Sequence, residues 1–524
     1  MGEVPETEDL RLRRNWMVIA AIAGAALGVL AIQAFLHAHF SAVDEYDDGV
    51  YFGASVELVH GVLAYRDFAF IQPPMITIWM APFAALSPLT GTSAAMEAGR
   101  FFVDIVTVAN VVLVGALVRR RPTWQVVVAT AVMAFSQGTI LASQTILLEP
   151  FLVLACLIAL LFLLEGEVLT RSSRRLWWCG IFFGVAGATK VWAALPSLAA
   201  LIVLAPSGLR AQRKVVGGAI IGFVTCCAPF LIAAPFSFLR QVVVTQAIRS
   251  ASGFTFEARL ADLTGIPGLS GSIQRHSDLG AALLALVALA GIGAVLACAR
   301  AKGRAPWSAL ERLALWGTLF VGAGLLLSPT YYYHYSAFMA PFVALVASSV
   351  AGRVSAWRHA TLAVRSMLHP KLGWVATGAA LATLLGTMIL VVVDLPAAPH
   401  VGDAVSDAIP GHGCVLYVNP TLALLDNRFT SDVSGCPDVI DWQGQERVLD
   451  DGIASAASDF SDRHLQAVLG RWIDSSDAVV LQAGNPGLDS ANVQYLRTHF
   501  AREADIPRGL RIFVRMAAGR HRRV

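Results

Sequence analysis

The chain has 524 residues, of which 56% are hydrophobic and only 14% charged, with a mean hydropathy of +0.63; these values exclude an ordinary water-soluble globular protein. A formal net charge of +3 is too small to mark a nucleic-acid partner.

Apolar runs long enough to cross a hydrocarbon core as helix recur along the chain. Spans are predicted near 16–36, 97–118, 124–141, 149–165, 176–190, 192–206, 215–236, 279–299, 309–328, 334–352 and 373–394, eleven in all. The first run is too long for a cleavable signal peptide, and no small-residue cleavage pattern follows it. Residues 176–206 form one apolar block that must fold at about Lys190. Met75 to Leu86 is apolar but short, bracketed by Pro73-Pro74 and Pro88, and reads as a re-entrant or interfacial helix with proline in its first turn. It belongs to a first outer loop over 37–96, and further outer loops follow over 237–278 and from Ser328 to Tyr335. Past residue 395 charges return and no run can span. Strand-like runs at 414–418, 478–481 and 510–514, separated by helical stretches near 460–473 and 489–503, predict a small α/β domain. The predicted fold is thus an all-α polytopic membrane domain over 1–395 followed by a small extracytoplasmic α/β domain over 396–524.

Cations set the orientation. With the N-terminus in the cytoplasm, the inner segments collect 20 Lys and Arg, among them Arg119–Arg121, whereas the outer loops and nearby span ends hold seven. An odd number of spans then puts the C-terminal domain outside. Five of the seven cysteines fall in predicted spans, where Cys acts as a small apolar residue. Cys414 and Cys436 fit no zinc spacing; an extracytoplasmic setting permits a disulfide between them, and the sequence leaves the pairing open.

The first outer loop opens with Asp44-Glu45-Tyr46-Asp47-Asp48, four carboxylates in five residues. A solvated membrane-exit loop would account for such a run. A chemical reading is that a carboxylate removes the proton of an acceptor alcohol as a new bond forms, or that Asp47 and Asp48 hold a divalent cation such as Mg or Mn.

Asp47-Asp48-Gly49-Val50-Tyr51, a helical stretch ending at Gly61, Tyr65-Arg66-Asp67-Phe68 and Gln72-Pro73-Pro74 together resemble the first outer loop of the GT-C superfamily of membrane glycosyltransferases. The resemblance is to the bacterial branch related to the dolichyl-phosphate-mannose protein mannosyltransferases and the lipid A aminoarabinose transferase. Asp48 stands where Glu is common in that pattern, and Gln72 where a cation or His is common. Weaker similarities are Glu149-Pro150, Ala188-Thr189-Lys190, Tyr333-His334-Tyr335 and the stretch from Asn419-Pro420 to Asn427-Arg428. The resemblance implies a polyprenyl-phosphate-sugar donor, inversion at the anomeric carbon, a site at the extracytoplasmic membrane face, and Asp47 as catalytic base with Asp48 tuning or assisting it.

Candidates for holding the donor's phosphate or sugar are Lys190, His334, Tyr333, Arg249, Arg66, Gln72 and Glu149, and Arg100 is a further outer-face cation that could reach a phosphodiester. An intramembrane cation such as Lys190 usually has a role, though a snorkelling Lys gives the same pattern. An interfacial aromatic girdle accounts equally for Tyr331–Tyr335, and a favourable helix dipole for Glu149. The expected partners are a lipid-linked sugar, membrane lipids, and a glycan, glycolipid or protein acceptor, with the chain in the plasma membrane. The rival class is a transporter or lipid flippase, whose inverted repeats and midplane ionisable residues are not evident in the sequence.

Overall fold

A computed structural model describes residues 8–247, 254–285, 306–361, 402–444, 462–481, 487–506 and 510–516, apart from 37–38, 44, 267, 276–277, 279, 283, 432 and 443 within them. The spans expected at 279–299 and 373–394 lie wholly or largely outside the described residues, as does Asp44.

The first helix, α1 (Glu8–Leu36), is followed by α2 (Tyr46–Val59), α3 (Met75–Ala84) and α4 (Thr92–Val118). The apolar run expected as one span over 124–141 is broken into α5 (Thr123–Phe135) and α6 (Gln137–Ala142). The break is Ser136, which takes an extended conformation while its hydroxyl bonds that of Thr139 at 2.7 Å. Next come α7 (Glu149–Leu163) and a two-stranded hairpin, β1 (Leu164–Glu165) and β2 (Val168–Leu169), that the sequence reading did not anticipate. Then follow α8 (Ser173–Thr189), α9 (Ala194–Leu204), α10 (Leu209–Ala233), α11 (Phe256–Leu263), α12 (Ala309–Leu327) and α13 (Ser336–Thr361). The fold expected at Lys190 is present: its backbone is extended (φ −154°, ψ 131°) between α8 and the short turn that leads into α9. Among the described residues, five helices are long and apolar enough to cross a bilayer, beginning at Glu8, Thr92, Leu209, Ala309 and Tyr333. The chain is a mostly helical, multi-span membrane protein.

Helix α8 meets α10 through small residues on both sides. Gly180 and Gly184 face Gly218 and Gly222, and a Cβ at Gly180 would stand 2.1 Å from the Val215 carbonyl oxygen. Two GxxxG pairs in register let the backbones touch, which is how membrane helices gain contact where burial from water offers little.

The C-terminal unit holds α14 (Gly402–Ala408), β3 (Val415–Tyr417), α15 (Pro420–Leu425), α16 (Arg463–Ser475), β4 (Ala478–Leu481), α17 (Ser490–His499), β5 (Phe500–Ile506) and β6 (Leu510–Arg515). Its sheet has the order β3-β4-β6-β5, with β3 and β4 parallel and the other pairs antiparallel. The three expected strands are present. The helix expected over 489–503 ends at His499, and Phe500 onward pairs with β6 instead, because the fold supplies an edge that sequence periodicity cannot see.

One apolar core runs from α2 and α3 into this unit, through residues such as Tyr51, Phe52, Val405, Leu422 and Phe429. Gly49 is needed for the approach: a Cβ there would meet the Thr421 backbone nitrogen at 2.1 Å.

Two stability predictions arise here. Cys414 and Cys436 form a disulfide across 22 residues, and closing a loop of that length restricts the unfolded chain. Cys436→Ser should cost about 3 kcal/mol, read as a lower unfolding temperature of the C-terminal unit that added reductant no longer changes. On α2, burial, followed by the nearby Asp438, outweighs the opposing pull of His60 and pushes Glu57 up to about 7. The folded chain therefore keeps a proton that an unfolded chain releases near the ordinary carboxylate value. Stability from this group is fully present at low pH and is lost as pH rises towards about 7. Glu57→Gln should flatten that dependence, by on the order of 2 kcal/mol, in unfolding measured between pH 5 and 8.

Candidate active site

Successive helical residues point about 100° apart, so the adjacent carboxylates at the start of α2 have different surroundings. Asp48 is fully buried. One of its oxygens accepts from Arg100 Nε at 3.0 Å and from Arg100 Nη2, and the other accepts from the Ile146 backbone N–H at 2.9 Å. Arg100, equally buried, directs Nη1 to the Phe40 carbonyl at 2.7 Å. Two buried charges are tolerable only when paired and hydrogen-bonded in this way. Asp47 is half-buried, and the Tyr51 hydroxyl, one turn on, donates to it at 3.3 Å.

The loop that carries these acids is held from two sides. Thr421 of the C-terminal unit donates its hydroxyl to the Glu45 carbonyl at 2.7 Å and accepts from the Gly49 N–H at 2.9 Å. Tyr46 donates to Asp441 at 3.0 Å. From the opposite side, the Tyr333 hydroxyl donates to the Glu45 carboxylate.

A second cluster forms where α7, the α8–α9 break and the start of α13 converge. Glu149, at the first turn of α7, accepts from Lys190 Nζ at 2.5 Å, and its other oxygen lies 3.9 Å from His334 Nε2. Lys190 Nζ sits 3.8 Å from the centroid of the Tyr335 ring and 4.3 Å from that of Trp192, cation–π contacts that hold the ammonium in an apolar setting. A cavity of about 50 Å³ opens beside it, lined by Gln72, Lys190, Trp192, Gln246, Thr330 and Tyr335. Arg259 donates to the Ser328 carbonyl and Tyr331 donates to Asp262 at 2.6 Å, which fixes the loop forming one wall. Burial pushes Asp262 up to about 7, against hydrogen bonds from Tyr331 and Ser336.

The geometry thus gathers Lys190, His334 and Glu149, sets Gln72 on the same cavity, and makes Tyr333 the link to the acid loop. Arg66 is not gathered: it is exposed and pairs with its neighbour Asp67 at 2.7 Å. Arg249 lies outside the described residues. The sequence gives no sign that Trp192 and Gln246 line the cavity with Tyr335 of the aromatic segment, and Arg100, which the sequence offers as an outer-face cation for a phosphodiester, is instead the buried partner of Asp48. For Arg100 a signal existed, because a cation near the start of a long apolar helix needs a counter-charge. Among the described residues, no three His, Cys, Asp or Glu side chains are grouped to hold a metal ion. With both Asp48 oxygens engaged by Arg100 and Ile146, the adjacent pair does not offer a cation two carboxylates.

Residues 70–329 match the sequence model of glycosyltransferase family 87. The fold is similar to that of ArnT from Cupriavidus metallidurans in its crystal structure bound to undecaprenyl phosphate, with a TM-score of 0.60 and 14% identity over 95% of this chain and 98% of that one. The apo form of the same protein gives a TM-score of 0.61 and 13% identity over 94% and 97% of the two chains. The chain shares the fold of ArnT, and just under half of it matches a glycosyltransferase family model. No curated protein sequence matches it. The first-loop motif that carried the resemblance divides into one sealed carboxylate, Asp48, and one half-buried carboxylate, Asp47.

Arg100→Met would leave Asp48 buried and uncompensated. It should lower stability by about 3–5 kcal/mol, and Asp48→Asn on the same background should recover part of that loss. Thermal unfolding of the two variants in detergent tests this, and equal stability of Arg100→Met and the unmodified protein would refute the clamp.

Proposed function

We propose that this chain is a GT-C glycosyltransferase that moves a sugar from a polyprenyl-phosphate-linked donor to an envelope glycan, glycolipid or protein at the extracytoplasmic membrane face, with inversion at the anomeric carbon. The observation that carries the reading is the Tyr333–Glu45 hydrogen bond. It joins the loop bearing Asp47 to the segment bearing His334, which supports reading Asp47 and the Lys190–Glu149–His334 cluster as two sides of one site. The similarity in fold to a protein crystallised with undecaprenyl phosphate supports a lipid-phosphate donor. A membrane-embedded enzyme also suits a substrate whose tail stays in the bilayer.

The chemistry assigns the roles. The acceptor oxygen attacks the anomeric carbon from the face opposite the phosphate, and Asp47 takes the proton it loses. The bond from the anomeric carbon to the phosphate oxygen breaks, and its electron pair leaves with the phosphate. Lys190 stabilises that charge with its ammonium. Glu149 is a positioning residue for Lys190, and His334 supplies a second donor from the same side. Gln72 contributes a neutral amide to the cavity wall. Asp48 acts through the backbone, fixing the helix on which Asp47 stands.

Asp47→Asn should lower kcat roughly 10²–10⁴-fold and leave the KM for a lipid-linked donor nearly unchanged. Transfer is measured with purified protein and a panel of polyprenyl-phosphate sugars. Full turnover by the variant would sink the assignment of the base. Absence of both transfer and donor hydrolysis across the panel would point instead to transport.

A further inference from the structure

The end of α4 remote from Arg100 carries a second cationic feature that the proposed chemistry does not use. From Arg100 to Arg120 the helix rises roughly 1.5 Å per residue, or about 30 Å in all, the thickness of a bilayer's hydrocarbon core. The two ends therefore lie at opposite membrane faces. At the far end a cleft of about 550 Å³ lies between α4, the end of α7, the β1–β2 hairpin and the start of α8. Arg119, Arg120 and Arg175 line its rim, and Leu117, Leu161 and Val168 are among the apolar side chains of its wall.

The charges around it are unevenly matched. The neighbouring Arg121 is paired with Glu167 at 2.6 Å, and Arg353 with Glu311 at 2.6 Å. Among the described residues that line the cleft, the only carboxylate is Glu165, half-exposed and 3.6 Å from Arg175. Arg175 is occupied in capping the end of α7, donating to the Leu161 and Leu164 carbonyls at 2.6 Å each. Arg119 donates to the Ala116 carbonyl, and among the described residues neither Arg119 nor Arg120 has a carboxylate partner. Gly166, at φ +69°, turns the hairpin so that Arg120 can lie against it: a Cβ there would stand 3.1 Å from Arg120 Nη1.

We infer that this cleft binds the phosphodiester headgroup of an anionic phospholipid from the leaflet opposite the Asp47 face. Two guanidiniums with no carboxylate partner among the described residues match a phosphate, and basic pockets between membrane helices suit such headgroups. The exposed apolar flank at Val168, 63% accessible, fits an acyl chain and has no purpose for a free anion. In the orientation expected from the cation count, this is the cytoplasmic leaflet. The inference does not rest on the proposed sugar transfer and can be tested without any sugar donor.

The experiment is native mass spectrometry of the purified full-length protein titrated with phosphatidylglycerol or phosphatidylcholine. The unmodified chain should retain one phosphatidylglycerol in preference to phosphatidylcholine. Arg119→Gln/Arg120→Gln should weaken that retention at least roughly tenfold, with unchanged unfolding temperature in phosphatidylcholine. Should the double variant fold poorly, Arg120→Gln alone removes an exposed side chain and should still give a measurable loss. Val168→Asp should also weaken phosphatidylglycerol retention. Equal retention by the arginine variants would overturn the inference. So would displacement of the lipid by millimolar inorganic phosphate with Val168→Asp having no effect, which would mark a site for a free anion.

Discussion

The site depends on the buried ion pair between Asp48 and Arg100. Neither group could be buried alone, and the Coulombic attraction between them offsets desolvation only because the remaining polar atoms are also met. The Phe40 carbonyl and the Ile146 N–H complete the set. The pair therefore ties together the exit from α1, the start of α2, the body of α4 and the turn before α7. Its consequence for Asp47 is geometric. With Asp48 fixed inward, the rotation of α2 about its own axis is fixed, and the preceding side chain is left half-buried and held by Tyr51. A side chain one position away from such a clamp needs little other scaffolding, as geometry built on a rigid element is more exact than geometry built on a free loop.

The C-terminal unit takes part in the same construction. Its residues enter the core beneath α2, Phe429 packs where a side chain at Gly53 would have been, and Thr421 bonds both before and after the two aspartates in sequence. It closes the outer side of the acid loop, while the aromatic segment around Tyr333 closes the other. The titration of Glu57 beside Asp438 lies within that contact.

Much of this was legible in the sequence, for physical reasons that also explain what was not. Helix length against bilayer thickness revealed the long spans, and the acid motif with its paired prolines revealed α2 and α3. Lys190 was found because an isolated cation in an apolar block is costly wherever it sits. Its partner Glu149 was a candidate for a different reason, the dipole at a helix start. Nothing in the intervening residues says that the two meet at 2.5 Å, because that contact is made by tertiary packing of α7 against the α8–α9 break. Asp48 was grouped with Asp47 because sequence adjacency looks like cooperation, whereas helical geometry turned one of them towards Arg100, 52 residues on. The break at Ser136 and the strand at β5 were missed for a common reason: each depends on a partner far along the chain, and local pattern carries no trace of it. Arg66, singled out by its place in the motif, is exposed and pairs with its own neighbour Asp67.

The two ends of α4 show how burial decides what a charge does in a membrane protein. At one end Arg100 is inaccessible and must find an internal partner, so its charge becomes architecture. At the other, Arg119 and Arg120 stay at the interface, where water and lipid headgroups can meet them at low cost. Their charge remains available to a ligand, and it also biases which way the chain is inserted. Both ends belong to one helix with no proline within it. A headgroup bound at one membrane face would therefore restrain the helix that fixes Asp48 at the other. Leaflet composition would then act on the site by limiting how far α4 can tilt or slide, with no chain of side-chain rearrangements needed between the two.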